Sequence, residues 1–142
     1  MKQVYIWSFV IIAMIFSITV YAENITKPKL SVSIETIDLG KIKPSQTKEY
    51  ILTIQNTGGA DLVIASTNTD CPCTSFQFLS KEGRVLPDLP LSISPGTGIQ
   101  LKLHFDSNRT KFVGAFKKHV LIGSNDLEEP MKRIWLVGEI GE

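Results

Sequence analysis

Cys71 and Cys73, the two cysteines of the chain, stand two residues apart in Asp70-Cys71-Pro72-Cys73-Thr74. A disulfide wants Cα atoms about 4.4 to 6.8 Å apart, while two extended residues span at most about 7 Å, so a bridge requires the chain to bend at Pro72. Closing so short a loop yields only roughly 1.5 kcal/mol in the chain-entropy model, about half that of a 15-residue loop. Such a bridge would shape the loop more than stabilise the protein. If it is strained and exposed it is also easily reduced, which makes thiol exchange with a partner a second use of the pair. No Cys-x-x-Cys accompanies it. Soft-metal capture is the third. Two thiolates at this spacing can clasp Cu(I), and His104 with His119 would bring the N/S ligands to the four that zinc prefers. Both histidines, however, lie on the polar side of alternating segments, where an exposed imidazole is the ordinary outcome. They are not assigned as ligands, and no cofactor is expected.

Other chemistry is harder to assemble. There is no Gly-x-Ser-x-Gly elbow, and nothing in the sequence ties either histidine to a nucleophile. Asp61, Asp106 and Asp126 fall in turn regions, where a carboxylate commonly caps the backbone. Gly58-Gly59 reads as part of a hairpin and not as a phosphate cradle opening a helix. Trp135 reads as core or sheet-edge packing. No enzyme is expected.

The elements that must position Cys71 and Cys73 are short alternating segments. Leu30-Ser31-Val32-Ser33-Ile34 and Ile37 to Ile42 carry the period of a half-buried sheet. Glu49 to Asn56 is the clearest strand, with Tyr50, Leu52 and Ile54 on one face. Thr57-Gly58-Gly59-Ala60 is read as a positive-φ reversal, from which Leu62 to Ala65 returns antiparallel. Ser75 to Leu89 loses the periodicity and is expected to be the long loop. Beyond Pro95-Gly96, Leu101, Leu103 and Phe105 share a face; Phe116 to Ile122 and Met131 to Val137 close the chain. About seven or eight short strands with frequent turns and no helical period predict an all-β, immunoglobulin-like Greek-key β-sandwich.

The compartment is read from the N-terminus. Lys2 precedes an apolar run from Val4 to Val20, shorter than the roughly 20 residues of a membrane span, and Val20-Tyr21-Ala22 reads as a cleavage site. Residues 1–22 are therefore expected to be a signal peptide and residues 23–142 one sandwich domain, periplasmic or secreted. No membrane span is expected after cleavage. The chain has 15 Lys+Arg against 14 Asp+Glu, and the leader takes away only Lys2, so the remainder is neutral. Its basic residues are scattered, with Lys117-Lys118 and Lys132-Arg133 the adjacent pairs, and this excludes the basic stripe of a nucleic-acid binder.

Leu39-Gly40-Lys41-Ile42, the segment from Asn56 through Gly58-Gly59 to Ile64, Cys71-Pro72-Cys73-Thr74, Pro95-Gly96, and Gly114 leading to Ser124-Asn125-Asp126 together resemble the bacterial domain-of-unknown-function family fifteen-seventy-three. The resemblance covers nearly all of the chain after the leader. It implies an exported protein with an Ig-like domain similar to those of Hydin-type and major-sperm-protein-type proteins, and it brings no catalytic activity. The family's usual cluster is Cys-Gly-Cys-Thr after a serine. Asp70 and Pro72 replace the serine and the glycine here, which alters the flexibility of the loop.

Two functional classes follow. In the first the protein is a binding or structural module whose partner is another protein, joined by main-chain hydrogen bonds at an open sheet edge. In the second the Cys71-Pro72-Cys73 loop is a redox or soft-metal element held out by the sandwich.

Overall fold

The computed structural model describes residues 27–110 and 112–141; the expected signal peptide lies outside them. The described chain is all β, with a single 3₁₀ turn at Ser107–Arg109. Its strands are β1 (Leu30–Val32), β2 (Thr36–Ile42), β3 (Thr47–Asn56), β4 (Leu62–Thr69), β5 (Thr74–Leu79), β6 (Leu91–Ile93), β7 (Gly98–Asp106), β8 (Gly114–Ser124) and β9 (Met131–Ile140). They form two sheets in the orders β1-β3-β7-β5 and β2-β9-β8-β4-β6. Among the described residues no helix is long and apolar enough to cross a membrane.

The alternation seen in the sequence sets the inner faces. Leu52 and Ile54 of β3 meet Leu101, Leu103 and Phe105 of β7 within the first sheet, and Ile64, Val120, Ile122, Ile134 and Leu136 line the second; all are buried. The rings of Phe105 and Phe116, one from each sheet, stack with centroids 4.9 Å apart. Each such side chain contributes about 1.5 to 3 kcal/mol by leaving water, and only stacked sheets bury them all.

Two expectations need correction. First, β3 and β4 do not form a hairpin: they belong to different sheets, and the Thr57–Asp61 connection crosses between them. Gly58 does not have the positive φ expected of it. It is needed for close approach instead, since a Cβ there would collide with the Lys27 carbonyl oxygen and the Lys29 amide. Second, the expected loop from Ser75 begins with a true strand, β5, so the irregular stretch is confined to Ser80–Pro90. In addition, β2 pairs parallel with β9, while β1 pairs antiparallel with β3. The start of the domain therefore ties both sheets together.

Two buried polar residues hold that start in place. Asn56 donates from Nδ2 to the carbonyls of Ala60 (2.7 Å) and Ile93 (2.8 Å), and its Oδ1 accepts from the amides of Gly58 and Lys29. Asp126 accepts the amide of Leu30 at 2.8 Å, and those of Glu128 and Glu129 at 2.9 and 3.3 Å. Burial pushes the Asp126 carboxyl up, but the three amides, with Lys29 nearby, outweigh it and hold it below its ordinary value. The turn-capping reading of Asp126 holds, and the side chain also clamps β1. Lys132, buried on β9, is paired with Glu35 and Glu129.

Candidate functional site

Cys71 and Cys73 lie where the chain leaves β4 in one sheet for β5 in the other, over one end of the sandwich. A turn closes there, with the Thr74 amide donating to the Cys71 carbonyl at 3.1 Å, and the Asp106 amide reaches back to the Cys73 carbonyl at 2.8 Å. The two cysteines form a disulfide with their Cα atoms 5.1 Å apart. Pro72 is exposed at the tip, but Cys71 is only 6% exposed and Cys73 only 2%, and both belong to the apolar core. The bridge is therefore not the projecting element that the redox class needs. A thiolate could attack it only after the loop opened.

The structure does not bring the histidines to the cysteines together as a set. His104 is on β7 and His119 on β8, in different sheets. His104 Nδ1 lies 3.4 Å from Glu49 Oε1, which also takes Lys102 Nζ at 2.9 Å. Lys102, and after it His104, holds the exposed Glu49 carboxyl below its ordinary value. His119 Nδ1 faces Asp70 Oδ2 at 3.2 Å, and the His119 amide donates to Asp70 Oδ1 at 2.9 Å. Among the described residues no group of three or more His, Cys, Asp or Glu side chains is arranged to hold a metal ion. Each imidazole instead faces a carboxylate, His104 that of Glu49 and His119 that of Asp70.

What the strand order leaves accessible is the outer edge of β5. The two sheets have four edge strands, β1, β5, β2 and β6. Of these, β1 and β6 have three residues each, and β2 carries Asp38 and Lys41 across a break in its register. Short length, charge and irregularity are the ordinary means of blunting an edge. β5 has none of them: Thr74-Ser75-Phe76-Gln77-Phe78-Leu79 is regular, uncharged and rich in β-formers. The Leu86 amide donates to the Phe78 carbonyl at 2.9 Å from the side away from β7. Backbone groups alternate along a strand, so those of Phe76 also point outward. The Ser80–Pro90 loop thus covers only one end of this edge.

Recesses flank it on both faces. On the Ser75/Gln77 face, a cavity of about 330 Å³ is lined by Glu49, Lys102 and His104. On the Phe76/Phe78 face, one of about 440 Å³ is lined by Val85, Leu86, Pro87, Asp88 and Leu89. Val85 is 63% exposed. The sequence reading missed this site although the alternation Ser75-Phe76-Gln77-Phe78 was there to find it. Gly83, Pro87 and Pro90 pulled the whole segment toward a loop assignment.

Trp135 is in neither of the two places expected for it. β9 is an interior strand of its sheet, and the indole lies half-buried on the outer face. Lys117 Nζ sits 4.2 Å and Arg133 Cζ 5.1 Å from the ring centroid, and His119 meets the ring edge-on at 5.4 Å.

Sequence and structure comparisons agree with this architecture. The family described as "Protein of unknown function (DUF1573)" matches residues 30–140, and the chain belongs to that family. No curated protein matches it. A protein of unknown function from Porphyromonas gingivalis W83 is similar over 82% of this chain, at 21% identity and a TM-score of 0.65. The chain spans about half, 48%, of that protein's length. The ASH / PapD-like domain 7 of human CEP192 is similar over 82% of this chain and 87% of its own, at 16% identity and a TM-score of 0.56. A family 123 glycoside hydrolase from Clostridium perfringens is similar over 81% of this chain but only 27% of its own, at 7% identity and a TM-score of 0.63. At such identities the likeness concerns the fold, which is immunoglobulin-like and PapD-like, and no activity travels with it.

Proposed function

We propose that this member of the DUF1573 family is an exported, non-enzymatic module that holds a protein partner by strand addition at β5. The observation that carries the proposal is the unblunted outer edge of β5, open at Phe76 and flanked by a recess on each face. An added strand sends alternate side chains to opposite faces. A partner segment of alternating polar and apolar residues would place the first set toward Glu49, Lys102 and His104, and the second against Phe76, Phe78 and Leu86. Main-chain hydrogen bonds would supply affinity, and the recesses would supply selectivity. Export is supported by the apolar run at Val4 to Val20 and the Val20-Tyr21-Ala22 site.

The experiment is capture from extract of the native compartment, using the full chain and three variants. Phe76→Pro removes an outward amide without breaking the pairing to β7, and Gln77→Lys places a charge beside the edge. Both should lose the partner; Gln77→Lys should keep the parent's melting behaviour, whereas Phe76→Pro also gives up the packing of the Phe76 ring against the core and lowers it. The Cys71→Ser/Cys73→Ser variant should keep the partner. Capture by the parent that disappears only when the cysteines are replaced would move the function to the Cys71–Cys73 loop.

A further inference from the structure

Among the described residues, Asp88 is the one charged side chain lining the recess on the Phe76/Phe78 face of β5. Phe76, Phe78, Leu86 and Pro87 give that recess its apolar walls, and Gln77 adds a neutral amide. The two phenylalanine rings meet edge-on with centroids 6.2 Å apart. Leu86 gives β5 the last amide of the covering loop, because Pro87 has none to offer. The outward groups of Phe76 are left for an incoming strand. Residues paired across antiparallel strands send their side chains to the same face, so whatever pairs with Phe76 enters this recess.

The Asp88 carboxylate is not used by the fold. An aspartate in a turn region ordinarily caps the backbone, as Asp38, Asp106 and Asp126 do here. Asp88 is exposed, and among the described residues it accepts no hydrogen bond and makes no ion pair. The other charges of the Ser80–Pro90 loop are on its turn. Arg84 lies 3.7 Å from Glu82, and neither these two nor Lys81 lines the recess. β6, the strand that follows the loop, carries no charge.

Granted strand addition at β5, on which this rests, we propose that the partner's segment carries an arginine at the position paired with Phe76. Its methylene stem would lie on Phe76, Leu86 and Pro87, and its guanidinium would meet Asp88. Other side chains match the recess less well. An aliphatic one fills the apolar part but crowds the carboxylate without pairing it. A carboxylate is repelled. Lysine brings the charge, but it lacks the planar group that stacks on a ring and grips a carboxylate through two N–H bonds.

The test is a titration of the full chain with capped peptides of sequence Ser-Val-Thr-X-Thr-Val-Ser, in which X is Arg, Lys, Leu or Glu. The Arg peptide should bind most tightly, about fivefold better than the Leu peptide at low salt, and the Glu peptide least. High salt should narrow the gap between Arg and Leu. Asp88→Asn should bring the Arg peptide within about twofold of the Leu peptide and leave the Leu peptide's own affinity unchanged. Glu139→Gln, the same loss of charge on β9, should leave the Arg peptide within about twofold of its affinity for the parent. A Leu peptide that binds as tightly as the Arg peptide, or an Arg preference that survives Asp88→Asn, overturns the arginine assignment. In that case, binding of the Leu peptide that is lost in Gln77→Lys leaves strand addition at β5 standing. Failure of every peptide to bind, or binding indifferent to Gln77→Lys, overturns the arginine assignment and counts against strand addition as well.

Discussion

The Leu86 amide hydrogen-bonds the Phe78 carbonyl at 2.9 Å, so the Ser80–Pro90 loop closes the far end of β5 and stops there. Phe76, two residues earlier, points its backbone the same way with no strand beside it. Chain connectivity thus leaves about half of one uncharged edge open, while the remaining edges are short or irregular.

That arrangement predicts an alternating exchange pattern in the free protein. The amides of Ser75 and Gln77 face β7 and should be protected from hydrogen exchange, while the Phe76 amide between them should exchange as a solvent-exposed group. Residue-resolved exchange by NMR measures this. Protection of Phe76 equal to that of Gln77 would mean that the edge is already covered.

The bridge behaves differently in this structure from what an exposed Cys-Pro-Cys loop would give. With both cysteines in the core, reduction by glutathione should be limited by loop opening, and low concentrations of urea should accelerate thiol release. Removing the bridge should cost about 1 to 2 kcal/mol, from the small loop-closure term and the exchange of buried sulfur for hydroxyl in Cys71→Ser/Cys73→Ser. Rapid reduction without denaturant would return the loop to the redox class.

Asp126 should confer a pH-dependent part of the stability. Its folded pKa lies below the ordinary value of 3.8, so the stabilisation is fully present above that value and is lost as pH falls through the folded pKa. Asp126→Ala should cost about 1 to 3 kcal/mol at neutral pH, because it leaves the Leu30 amide buried and unpaired. Urea unfolding of parent and variant from neutral to acid pH should show the gap narrowing below 3.8. A gap that widened toward acid would reverse the assignment.

Asn56 satisfies four backbone groups at the crossing from β3 to β4, so Asn56→Ala should cost about 2 to 4 kcal/mol by the same denaturation measurement. A loss within about 0.5 kcal/mol would show that water replaces it without penalty.

Period-two alternation made the inner faces legible: Leu52 and Ile54, and Leu101 with Leu103 and Phe105, are core residues as the sequence indicates. The same alternation says nothing about which sheet a strand joins. Hence the segments either side of Gly58 read as a hairpin when they are in fact a crossing, and the parallel pairing of β2 with β9, nearly a hundred residues away, carried no local signal. Periodicity also fails in short elements next to turn residues, which hid β5 behind Gly83, Pro87 and Pro90. The Cys71–Cys73 spacing permitted a bridge, but whether the sulfurs turn inward depends on how β4 and β5 approach each other over the end of the core. Trp135 was misplaced for a related reason, since an outer face and an edge differ only in what lies alongside.

Site-specific photo-crosslinking in the cells that naturally produce the protein tests the central claim most directly. A photoreactive residue at position 77, on β5, should yield a discrete adduct with another protein, and one at position 92, on the short β6 edge, should not. Adducts equal at the two positions, or arising only from position 92, would contradict strand addition at β5.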